Sequence, residues 1–156
     1  MEIAYAFFAE AAQMTSDGRL NLLGADLHTL QFEGNPPWTT ALYLVVGLRF
    51  QNEEGGRLFH LTGDLVAPDE TQMAPHVESA FVAPVPSGPD RIPRMTIAGH
   101  LIGIAFPVAG AYHLRVRLED RDRNLSEEKK VRLRVNGPTP ENLGPTQEVG
   151  VEPRVP

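Results

Sequence analysis

Residues 6–30 read AFFAEAAQMTSDGRLNLLGADLHTL, and the fold turns on whether their first half is helix or strand. Alanine, glutamate, glutamine and methionine are good helix formers, so AFFAEAAQM taken alone has helical composition. Two features oppose that reading. Ile3, Tyr5 and Phe7 alternate with the period of a strand, and TSDGR is a hairpin-type connection in which Asp17-Gly18 supplies the left-handed backbone position. This context predicts that residues 2–9 and 19–30 pair antiparallel around Asp17-Gly18, with a helical turn at most over Glu10–Gln13. Gly24 inside the second arm marks a bulge or a close backbone approach.

Working outward, GNPPW at 34–38 breaks any ladder, because consecutive prolines cannot continue one. TALYLVVGLRF follows and is apolar in both phases, as expected of a central strand covered on two sides. NEEGG is a turn, and RLFHLTGDLVAP sets Phe59, Leu61 and Leu65 against His60, Thr62 and Asp64. The stretch 67–93 is rich in proline and polar residues, with one short strand, VESAFVA. RMTIAGHLIGIAF is a long apolar strand containing Gly99 and Gly103. The segment from Tyr112 to Glu119 predicts Tyr112, Leu114, Val116 and Leu118 inward and His113, Arg115, Arg117 and Glu119 outward. After a charged loop, Val131, Leu133 and Val135 point inward.

Short strands at regular spacing, Gly/Pro turns and no long helical period predict an all-β fold. The expected form is an antiparallel immunoglobulin-like β-sandwich of about seven to eight strands. The sandwich domain is drawn at 1–136. A Pro-rich C-terminal tail, disordered or extended, is drawn at 137–156, where large apolar residues are scarce.

A length of 156 residues suits one domain, and 42% hydrophobic with 22% charged residues is ordinary for a globular chain. The net charge of −6 removes any whole-chain electrostatic footprint for nucleic acid, which is not expected as a partner. With no cysteine, disulfides, zinc-thiolate sites and thiol nucleophiles drop out. Basic charge is almost all arginine, Lys129 and Lys130 being the only lysines, which suggests a GC-rich bacterial genome. The segment MEIAYAFFAEAA lacks a basic n-region and is too short to span a bilayer, so a cytoplasmic protein without membrane attachment is expected.

A resemblance bears on the fold. FFAEAAQMTSDGRLNLLGADLHTL looks like the N-terminal hairpin of a bacterial β-sandwich family of unknown function, whose members carry D-G-K/R-L-N-x-x-G after an alanine-rich acidic step. Asp17, Gly18, Arg19, Leu20, Asn21 and Gly24 match that pattern. FPVAGAYHLRVRLED with VRLRV resembles the same family's final hairpin. The resemblance implies the fold and brings no activity with it.

Catalytic chemistry finds no foothold. His28, His60, His76, His100 and His113 form no H-x-H or H-E-x-x-H spacing, and no serine sits in a G-x-S-x-G elbow. His60 and Asp64 lie about 13 Å apart along a strand, too far to chelate one ion. Glu53–Glu54 and Glu127–Glu128 read as solvated loop acids. No metal, no cofactor and no enzymatic activity are expected.

The oddity is basic. Arg115 and Arg117 point outward from one strand and Arg132 and Arg134 from the next, so a hairpin would crowd four guanidinium groups on one face. Opposed like charges are unfavourable by several tenths of a kcal/mol per pair. Either neighbouring acids compensate, with arginine stems covering apolar surface, or an anionic ligand or acidic partner does. The expected function is a non-enzymatic bacterial binding or assembly module acting through a sheet face or edge. The alternative is a small-molecule or carbohydrate-binding sandwich with Trp38, Tyr43 and His60 lining a pocket. Residues 3–8, 41–48 and 97–106 are apolar in both phases, an excess that predicts a protein partner or self-association as a homodimer.

Overall fold

The computed structural model describes residues 1–17, 19–88 and 91–138. Ten strands and one 3-10 turn make up the regular structure of these residues, with no α-helix. The strands are β1 (Glu2–Ala9), β2 (Ala11–Met14), β3 (Leu20–Leu23), β4 (Thr29–Gln31), β5 (Trp38–Arg49), β6 (Leu58–Val66), β7 (Gln72–Val82), β8 (Arg94–Phe106), β9 (Gly110–Asp120) and β10 (Leu125–Asn136). They form a three-stranded sheet ordered β1-β5-β8, a five-stranded sheet ordered β4-β10-β9-β6-β7 and the two-stranded ribbon β2-β3. All pairings are antiparallel except β4 with β10, which is parallel. The proline-rich stretch 67–93 thus holds a longer strand than its composition suggested: β7 accommodates Pro75 at a sheet edge, where no ladder partner needs its missing N–H. The expected tail beyond 138 and the Gly18 position of the first turn lie outside the described residues.

The opening segment is strand, and its pairing differs from the sequence expectation. Residues 2–9 do not pair with 19–30: β1 lies antiparallel to β5, with Phe7 opposite Val45 and Phe8 opposite Leu44. The hairpin is the shorter β2-β3 ribbon, Ala11 opposite Leu23 through Met14 opposite Leu20. No helical turn interrupts Glu10–Gln13; Ala11 to Met14 are extended. The reason is local geometry followed by burial. Past Leu23, Gly24 (φ +57°) and Asp26 (φ +60°) turn the second arm aside. A Cβ on Gly24 would also sit 2.6 Å from the Glu10 side chain. A single bridge, Phe8 to Leu27, is all that still joins the second arm to β1. β1, apolar on both faces, is buried by β5 instead, with Ile3, Phe8 and Ala9 inaccessible.

One hydrophobic core draws side chains from both larger sheets. From the three-stranded sheet come Ile3, Phe8, Leu42, Leu44, Val46, Leu48, Leu101, Ile104 and Phe106. From the five-stranded sheet come Phe59, Leu61, Leu65, Tyr112, Leu114, Val116, Leu118, Leu133 and Val135. The inward residues of β9 and β10 are those the alternation marked. On the outer face of the three-stranded sheet, Tyr5 lies across Gly47 and its hydroxyl meets Thr96 Oγ at 2.9 Å. Only glycine fits there, since a Cβ at position 47 would stand 2.1 Å from the ring. The free edge of β1 is closed by side chains from β10. Ile3 N–H donates to Glu127 Oε1 at 2.9 Å, and Lys129 Nζ donates to the Ala4 carbonyl at 3.1 Å. An edge satisfied in this way is blunted against further strand addition.

Among the described residues two charged side chains are buried, Glu54 and Asp120. Glu54, expected as a solvated loop acid, instead accepts from the Met1 ammonium at 2.8 Å and from the Gln51 amide at 2.7 Å, closing the 3-10 turn Asn52–Glu54. Asp120 takes Arg57 at 3.0 Å and the Arg123 amide at 3.3 Å, tying the start of β6 to the β9–β10 turn. At the opposite end of β9, the buried Tyr112 hydroxyl donates to the Val108 carbonyl at 2.7 Å. Burial, with the Asp69 carboxylate adding to it, raises Tyr112 above the ordinary tyrosine value. The neutral ring therefore contributes stability in full below about pH 10, and that stability is lost as pH rises through the folded value. Tyr112→Phe should cost about 1 kcal/mol in urea unfolding at neutral pH. The same variant should flatten the decline of the unfolding midpoint above pH 10.

Candidate functional site

The pleat that turns Tyr112, Leu114, Val116 and Leu118 inward sends His113, Arg115, Arg117 and Glu119 to the outer face of the five-stranded sheet. Antiparallel pairing sets each beside a residue of β10: Glu128 faces Arg117, Lys130 faces Arg115, and Arg132 faces His113. On the other side, β6 brings Thr62 against Arg117 and Asp64 against Arg115. The four predicted arginines do share this face, and the sheet treats them in two ways. Arg117 is 3.1 Å from Glu128 and 3.8 Å from Glu119, and Arg115 is 3.8 Å from Glu128. Asp64 is taken by His76 at 2.6 Å across β6–β7. Arg132 and Lys130 have no acidic partner among the described residues, and Arg134 only reaches Asn136 Oδ1 at 3.3 Å.

These uncompensated cations border a cleft of 760 Å³. Its floor is Ala111 and the backbone of β9; β10 supplies Lys130, Arg132 and Arg134. β4 and the residue before it supply Thr29 and His28, held in place by parallel pairing: the Arg134 amide donates to the His28 carbonyl at 2.8 Å. The His28 ring is oriented by its Nδ1, 2.7 Å from the Asp26 carbonyl, which can only accept, so Nδ1 carries the hydrogen. The third wall is the β6–β7 turn, with Pro68 and Glu70. Pro68 sits so close to Gly110 that a Cβ there would stand 2.6 Å from its ring. In that turn, Asp69 accepts from the Thr71 hydroxyl at 2.6 Å and from its amide at 3.1 Å, and these bonds hold the carboxyl below its ordinary range. His113 Nε2 is shielded from solvent yet has no hydrogen-bond partner among the described residues. A polar atom stripped of water without a partner is costly unless something supplies one.

The alternative trio does not assemble. Trp38 is 5% exposed in the core, stacked on Phe32 with its indole N–H on the Gly34 carbonyl at 3.0 Å. Tyr43 stacks on His100 at 4.4 Å on the outer face of the three-stranded sheet. His60 stands on the outer face of the other sheet, opposite Ala80 and Glu119. Strand phase separates them: Trp38 is inward and Tyr43 outward on one strand, while His60 is outward on a strand of the opposite layer. The sequence reading also missed His28, Glu70, His113 and Lys130 as cleft residues. Lys130 was legible, since it shares the phase of Arg132 and Arg134; His28 and Glu70 arrive through long-range pairing.

Among the described residues no three His, Cys, Asp or Glu side chains are grouped to hold a metal ion. No helix of the described residues is long and apolar enough to cross a membrane. Glu128→Gln should cost between about 0.5 and 1 kcal/mol, because it leaves Arg115 without its acid and Arg117 with only the longer contact to Glu119 on a partly solvated face. That cost should shrink as salt is added, whereas Arg132→Gln and Arg134→Gln should stay within about 0.5 kcal/mol of the parent in the same denaturant titration.

No curated protein matches the sequence. A family model covers residues 4–136, which takes in β2 to β10 and all but the first two residues of β1, and by that match the chain belongs to DUF6941, a family of unknown function.

Proposed function

We propose that this chain is a non-enzymatic binding module of a bacterial cytoplasm, engaging an anionic partner through the cleft between β4, β10 and the β6–β7 turn. One contrast carries the reading: Arg115 and Arg117 are neutralised within the sheet, while Lys130, Arg132 and Arg134 are not. Holding like charges together without internal acids is unfavourable, and an anion removes that cost. The scaffold is an immunoglobulin-like sandwich in this reading. Its support is the order β1-β5-β8 against β4-β10-β9-β6-β7 around one core, with the Tyr112 hydroxyl bonded back to Val108 in the manner of a tyrosine corner. Titrating the 15N-labelled protein with tripolyphosphate, used as a generic anion, should shift amides at 28–29, 111–113 and 130–134. Shifts spread evenly over the surface, or none at millimolar anion, would refute the proposal.

A second surface favours self-association. Tyr5, Phe7, Tyr43 and His100 form two stacked pairs on the outer face of the three-stranded sheet, and β8 is that sheet's open edge with Ile102 69% exposed. A two-fold pairing through this face and edge would extend the sheet and cover the rings. Light scattering should then rise above the 17.1 kDa monomer mass across the micromolar range, and Tyr43→Glu should return it to the monomer.

A further inference from the structure

Resting on the cleft as the binding surface, we infer that its ligand is an extended peptide segment of a protein partner, carrying carboxylates at alternate positions and laid alongside β10. The spacing of the cations carries this. Lys130, Arg132 and Arg134 occupy every second position of one strand, so their roots repeat at about 6.8 Å and span about 13 Å. They are strung along a line and do not converge on a point, which suits a linear ligand better than one compact anion. An extended peptide repeats its same-face side chains at that same interval, so three alternate carboxylates meet three cations in register. Each arginine offers a planar fork matched to a carboxylate.

The surroundings narrow the ligand further. Ala111, opposite Arg134 on β9, leaves a low floor over which a peptide backbone can approach. His113 stands opposite Arg132 and brings no negative charge to this end of the cleft. Glu70 on the turn wall repels a carboxylate presented to that side, so a segment with acids on one face fits and a continuous acidic run does not. The lining holds no exposed phenylalanine, tyrosine or tryptophan on which bases could stack, Tyr112 being 1% exposed. A net charge of −6 also opposes a long polyphosphate backbone.

The test uses the full chain and four probes: a hexapeptide with glutamates at alternate positions, its isomer with the three glutamates adjacent, tripolyphosphate, and oligo-thymidylate. In amide-shift titrations the alternating peptide should bind several-fold tighter than its isomer and perturb residues 28–29, 111–113 and 130–134. Arg132→Gln and Arg134→Gln, both at exposed positions, should each weaken it about tenfold, and Arg117→Gln should leave it unchanged. Equal affinity for the two peptides, or tighter binding of tripolyphosphate or oligo-thymidylate at the same residues, would overturn the peptide assignment and leave the anion-binding cleft standing. No cleft shift with any of the four would overturn both.

Discussion

The pleat of the β9–β10 hairpin is the constraint on which the rest of the molecule depends. Tyr112, Leu114, Val116 and Leu118 are each at most 1% exposed, and they meet Leu133 and Val135 from the neighbouring strand. Burying a side chain of this kind contributes between roughly 1.5 and 3 kcal/mol, so a one-residue slip that turned this row to solvent would cost an amount comparable to a domain's whole net stability. The register is therefore fixed. Because it is fixed, every residue between those positions must face out, and there the sequence has put Arg115, Arg117, Lys130, Arg132 and Arg134. The basic face is a consequence of the same alternation that makes the core.

What differs along that face is the availability of acids. Near the β9–β10 turn, Glu119 and Glu128 stand within reach of Arg117, and the sheet is internally compensated. Toward the other end, the cross-strand neighbours of Arg132 and Arg134 are His113 and Ala111, which bring no negative charge. The sheet then continues into β4, only three residues long and paired parallel, so the edge ends in a step and leaves a cleft above β10. Charge and shape thus coincide at one end of one sheet.

The two outer faces also differ in how their surfaces are managed. The five-stranded sheet carries charged and polar side chains outward. The three-stranded sheet carries Tyr5, Phe7 and Tyr43, with Val45 buried beneath them at 1% exposure. The Tyr5 ring lies across Gly47 and the Tyr43 ring stacks on His100, so this face is covered by aromatic rings and not by charge. Side chains from β10 close the β1 edge, and β8 forms the other edge of the same sheet.

The sequence by itself determined the all-β class, the courses of β5, β6 and β8, the inward phase of the core residues on β9 and of Val131, Leu133 and Val135 on β10, and the crowding of four arginines on one face. It put Glu127 and Glu128 in a loop, whereas β10 begins at Leu125 and holds both. Period-two alternation is local, and it needs no partner to be read. Only the tertiary structure decided what β1 pairs with, because a strand apolar on both faces can serve several neighbours and burial against β5 outweighs continuation of the β2-β3 ribbon. It also decided that Glu54 is buried, that Trp38, Tyr43 and His60 lie in different layers, and that His28 and Glu70 join Lys130, Arg132 and Arg134 at one cleft. Those outcomes depend on contacts between residues distant in the chain, such as Phe8 with Leu44, Met1 with Glu54 and His28 with Arg134, and the free energy that selects them comes from surfaces that exist only once the sheets have formed their shared core.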